Sequence, residues 1–92
     1  MIIRILGDGQ YDVPEAQVAE LNALDAALDA ALQGDDDVAF RGALAGLLHG
    51  IKERGVRLPD ESLQPSDAIV PGADAHAEEV RTYLRDDGMI PG

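Results

Sequence analysis

"IRILGDGQYDVP", residues 3–14, sets Gly-Asp-Gly directly behind an apolar run. Such a loop either cradles a phosphate or turns the chain between two short strands. Its flanks decide the matter. Ile2 to Leu6 are β-branched or apolar apart from Arg4, and Gln10 to Val13 alternate polar, aromatic, acidic and apolar. Asp-Gly between two such runs is a strong hairpin signal, because the short turn needs positive φ. Pro14 has no N–H to donate and ends the second strand. A dinucleotide fingerprint would need a third glycine where Asp12 stands, with a helix opening straight after the strand. A P-loop would need Gly-Lys-Ser/Thr, and Asp8 would repel a phosphate. The stretch predicts a β-hairpin.

Beyond Pro14 the period changes. Val18, Leu21, Leu24, Leu28 and Leu32 recur at helical spacing from Glu15 onward. Glu15 to Gln33 would span roughly 28 Å at 1.5 Å per residue. Gly34 supplies a stop. Asp36 or Asp37 is a natural N-cap for a second helix, whose stripe is Phe40, Leu44, Leu47, Leu48 and Ile51. Lys52 and Arg54 suit its last turn and Gly55 its end. A joining loop this short predicts an antiparallel αα-hairpin. Residues 56–71, with Pro59, Pro65 and Pro71, are the least regular. "SDAIV" (66–70) offers a third short strand. Asp74 reads as the cap of a third helix with Ala77, Val80 and Leu84 inward beside Tyr83, ending at Gly88. The expected fold is α+β: a small N-terminal hairpin, a possible third strand, and three helices of which the first two form the αα-hairpin.

Ninety-two residues fit one domain. Eighteen acidic against seven basic residues give a net charge of −11. Phosphate binding needs Lys and Arg to displace counterions, so nucleic acid is not expected as a partner. Direct adsorption to anionic lipid is disfavoured for the same reason, and no apolar run is long enough for insertion into a membrane. An acidic surface suits a basic protein partner. The chain has no cysteine, which fits a reducing cytoplasm. The N-terminus lacks the long apolar region of a signal peptide.

The search for chemistry finds none. His49 and His76 lack a second histidine or cysteine at i, i+4, so neither marks a metal site. Asp35-Asp36-Asp37 fails the calcium-loop pattern, because Phe40 stands where glycine is required. Ser62 and Ser66 have no local histidine to activate them. No catalytic residue and no cofactor is expected. One pattern asks for a packing reason: Gly42, Gly46 and Gly50 lie four apart in helix 2, each about 1 kcal/mol worse than Ala. Helix 1 is matched in small residues, including Ala19, Ala23, Ala27 and Ala30. The pattern is either a surface flattened for another helix or composition bias at exposed positions.

Together the pieces resemble a family. "MIIRILGDGQYDVP", "LNALDAAL", "SDAIVPGADA", "EEVRTYL" and the ending "DDGMIPG" are similar to the PspAA domain, the phage-shock-protein-A-associated family. The resemblance covers essentially the whole chain and is most specific at its ends. It implies a non-enzymatic adaptor or regulator of PspA, a peripheral coiled-coil membrane-remodelling protein, in the envelope stress response. It carries no catalytic residues over.

The expected contact residues come from the sequence instead: Gly7, Asp8, Gly9 and Tyr11 at the hairpin tip, Gly42, Gly46 and Gly50 on helix 2, and Met89 and Ile90 in the apolar tail. Tyr11 is singled out as one of three aromatics, since exposed aromatics anchor interfaces; the alternative is that Tyr11 packs on helix 1 and the tail merely covers the core. Two other readings stay open at this point. One is a self-associating module that forms a homodimer through its helices. The other is a regulator that binds a small molecule or an ion at the acidic loops.

Overall fold

β1 (Ile2–Ile5) and β2 (Gly9–Asp12) form the expected antiparallel hairpin in a computed structural model that describes residues 1–34, 36–61, 63–76 and 80. Ile5 pairs with Gly9, leaving Leu6, Gly7 and Asp8 as the loop. The positive φ, +80°, falls on Gly7. The Asp-Gly step predicted it one or two residues later, but Gly9 is already strand. Asp8 N–H donates to Ile5 O across the turn, 3.0 Å. Beyond the strands, Val13 N–H donates to Met1 O at 2.8 Å and the N-terminal amine to Val13 O at 2.8 Å.

The sheet has four strands in the order β3-β2-β1-β4. β4 (Ala68–Val70) is the expected third strand, and it runs parallel to β1 with Ile3 opposite Ala68 and Ile5 opposite Val70. β3 (Val56–Arg57) was not anticipated; two residues are too short to carry a periodicity. It pairs antiparallel with β2, Tyr11 opposite Arg57. Alternate residues share a face. Ile3, Ile5, Tyr11, Ala68 and Val70 are buried and join one apolar core with the helices.

The first helix starts later than expected. A 3₁₀ turn occupies Glu15–Gln17, and α1 runs Val18–Gln33. α2 runs Asp37–Arg54. Asp36 is its N-cap, accepting from Val38 N–H at 3.0 Å and Ala39 N–H at 3.1 Å. The pair is antiparallel. Arg54, at the end of α2, bonds Glu20 in the first turn of α1 at 2.6 Å. The buried stripe of α1 is Val18, Leu21, Asp25, Leu28 and Leu32. It includes, beside the expected Leu24, which is partly buried and packs against the same core, a carboxylate that is 3 % exposed. Two α-helices lie among the described residues, where three were expected. Val80 is fully buried and its N–H donates to His76 O at 3.1 Å. Ala77, Tyr83, Leu84 and Gly88 of the expected third helix lie outside the described residues, as do Met89 and Ile90.

β3 and β4 sit on opposite edges, so the chain between them must cross the sheet. It crosses on the face away from the helices. Leu58 N–H donates to Gln10 O and Asp67 N–H to Ile2 O. Ile2 N–H in turn donates to the Asp67 carboxylate at 2.8 Å. Gln10 is buried beneath this segment. With its amide turned to suit every neighbour, it donates to Ser66 Oγ (2.8 Å) and Gln64 O (3.3 Å) and accepts from Arg4 (3.2 Å).

Gly55, at the end of α2, is extended (φ −97°, ψ 162°), so left-handed freedom is not what it supplies. Space is. A Cβ there would sit 2.9 Å from Ile51 O and 3.1 Å from both Tyr11 Cβ and Val13 Cγ2. A Cβ on Gly46 would meet nothing within 4 Å. Gly55→Ala should therefore lose about 1–3 kcal/mol through overpacking. Gly46→Ala should gain about 0.5–1 kcal/mol by restricting the unfolded chain. Urea denaturation of the two variants beside the parent reads both signs.

Candidate partner-binding surfaces

The hairpin tip is a knot of charge. Asp8 reaches Arg57 of β3 at 2.5 Å and Lys52 in the last turn of α2 at 2.8 Å. Tyr11 OH donates to the same carboxylate at 3.1 Å, and Arg57 donates to the Tyr11 oxygen and to Asp8 O, each at 3.1 Å. The Arg57 guanidinium also lies 5.8 Å from the Tyr11 ring centre, within cation–π range. The hairpin loop, the end of α2 and β3 are joined at one carboxylate. The Lys52 hydrogen bond, with those from Arg57 and Tyr11, outweighs partial burial and pulls the Asp8 carboxyl down to about 2. Lys52 and Arg57 are pushed up in return, chiefly by their hydrogen bonds to Asp8.

This geometry decides between the two readings of Tyr11. It is 7 % exposed and belongs to the core, so it is no exposed anchor. Its ring closes the gap between the hairpin and the end of α2, and its hydroxyl is used by the knot. Gly9 faces Arg57, which a Cβ would approach to 3.1 Å. Gly7 stays exposed at the turn.

The three helix glycines are not alike. A Cβ at Gly50 would lie 2.7 Å from Leu24 Cδ1 and 3.4 Å from Leu21 Cδ2, so this glycine admits α1. Gly42 and Gly46 open on to empty space. His49 is 78 % exposed and bonds Glu53 at 3.1 Å. Among the described residues, no group of three His, Cys, Asp or Glu is placed to hold a metal ion. Nor is any helix there long and apolar enough to cross a membrane.

A surface the sequence reading missed lies on the outer face of the sheet. The crossing segment covers Ile2 and Gln10 but leaves Leu6 (38 % exposed) and Ile69 (47 %) uncovered. Ile69 pairs with Arg4, and Leu6 N–H donates to Val70 O, so the two apolar residues sit at one end of the β1–β4 pair. Beside them opens a cleft of about 420 Å³, lined by Leu6, Gly7, Pro71, Gly72, Asp74, Ala75 and His76. Gly72 lets the chain close on Leu6: a Cβ there would be 2.7 Å from Leu6 O. The signal for this face was the pattern Ile-Arg-Ile-Leu, which puts Leu6 on the same side as Arg4.

The lowered Asp8 pKa fixes a pH dependence. A carboxyl depressed from 3.8 to about 2 stabilises the fold at pH above 3.8, and that contribution is lost as pH falls through 2. Asp8→Asn should lower stability at neutral pH and flatten the loss between these limits. Urea midpoints from pH 7 down to pH 2 read it; parallel curves for parent and variant would contradict it.

No curated protein and no solved structure matches the chain. The family described as PspA-Associated protein matches residues 1–92, from one end to the other. That match spans the whole chain, and the chain belongs to the PspA-associated (PspAA) family.

Proposed function

We propose that this protein is a non-enzymatic adaptor that binds a PspA-type coiled-coil protein in the cytoplasm and regulates it during envelope stress. The observation that carries the reading is the family match over residues 1–92, whose description names association with PspA. The charge of −11 supports it, because carboxylates in this excess favour a basic partner and disfavour bare anionic lipid. The tied hairpin tip also supports it. Asp8, Lys52 and Arg57 satisfy one another, as a structural knot does and a reacting group does not. Membrane association then comes only through the partner.

Light scattering coupled to size exclusion tests the reading. The protein is run alone and then with the PspA-type protein of the same organism. Co-elution at a defined stoichiometry is expected. Separate elution at high micromolar concentration, with PspA assembly unchanged, would contradict direct binding.

A further inference from the structure

Resting on the adaptor reading, we infer that the partner docks on the outer sheet face, at the cleft between the hairpin loop and the segment that follows β4. Its occupant is an apolar side chain flanked by Lys or Arg on an amphipathic helix of the PspA-type protein. Three observations carry this. The first is shape: about 420 Å³ admits one or two large apolar side chains, and Leu6 and Ile69 extend the apolar surface beside it. Residues three and four apart on a helix stand about 5–6 Å from each other, which suits a pocket next to a flat apolar shelf.

The second is charge. Asp8, Asp12, Glu15, Glu20, Asp37, Glu53 and Asp60 each lie within 4.0 Å of a cationic or basic group. Asp36 caps a helix and Asp67 accepts from Ile2 N–H. Among the described residues Glu61 and Asp74 are both exposed and without an ion pair, and of the two it is Asp74 that stands on the rim of the cleft. A carboxylate on the rim of a cleft of mixed lining, with Leu6 and Ile69 exposed beside it, is complementary to a basic residue flanking an apolar one.

The third is the backing. Gly72 closes on Leu6 O, while Ala75 and Pro71 are buried, so the cleft has a packed floor. Preformed sites of this kind lose little freedom on binding. A Cβ on Gly42 or Gly46 of α2, by contrast, would meet nothing within 4 Å.

Calorimetric titration of the full chain against the PspA-type protein decides it. Asp74→Lys and Ile69→Gln should each weaken binding by about tenfold or more, the size of one lost interface anchor. Ala45→Lys, on the exposed face of α2, should stay within about twofold of the parent. Parent-like affinity for both cleft variants, with melting temperatures unchanged, would overturn the site and leave the adaptor reading standing. So would a loss confined to Ala45→Lys. No binding by the parent itself would overturn both.

Discussion

β1 is the strand on which the rest is hung. It is one of the two central strands in the order β3-β2-β1-β4, with β2 antiparallel on one side and β4 parallel on the other. Ile3 therefore stands between Tyr11 and Ala68, and Ile5 between Gly9 and Val70. Both isoleucines are buried, at 0 % and 2 % exposure, under the helix pair. Burying such a side chain is worth about 1.5–3 kcal/mol, and a one-residue slip of β1 would carry both to the opposite face. The register of β1 thus fixes which residues form the core, and it also decides that Arg4 and Leu6 face outward.

Two devices hold the helices to that strand pair. Gly55 lets the end of α2 come down on Tyr11 and Val13 without a Cβ between them. Asp8 then ties the hairpin loop to Lys52 and Arg57 on either side of that glycine. The ion pairs are half-exposed and individually weak, but they converge on one carboxylate that also accepts from Tyr11. The result closes the helix side of the molecule with small residues and mutually satisfied charges. The other side is closed only in part. The described residues of the crossing, Gln64 to Asp67 among them, shield Gln10 and Ile2 and stop short of Leu6 and Ile69.

What the sequence made legible was local. The hairpin, the Asp36 cap, the stripe of α2 and the ends at Gly34 and Gly55 each depend on residues a few positions apart. β4 was recognisable as a strand, but its parallel direction was not, because direction is set by where a crossing chain lands. β3 is too short for any period. On α1 the stripe through Leu24 holds, since Leu24 packs partly buried against the core, but hydropathy gives no sign that its neighbour Asp25 is the more deeply buried of the two. Asp8 and Arg57 are 49 positions apart, so no spacing rule joins them. That distance also left the two readings of Tyr11 open, anchor for a partner or part of the core; it serves the core. The cleft was illegible for the same reason: Leu6 and Asp74 meet only once β4 lies beside β1.

The central claim is a division of labour, with a helix layer that holds the fold and a sheet face that meets the partner. Hydrogen–deuterium exchange, with and without the PspA-type protein, tests it most directly. The account predicts new protection in peptides covering residues 1–8 and 66–76, and unchanged exchange across 38–54. Protection confined to 38–54, with 1–8 and 66–76 unaffected, would contradict it.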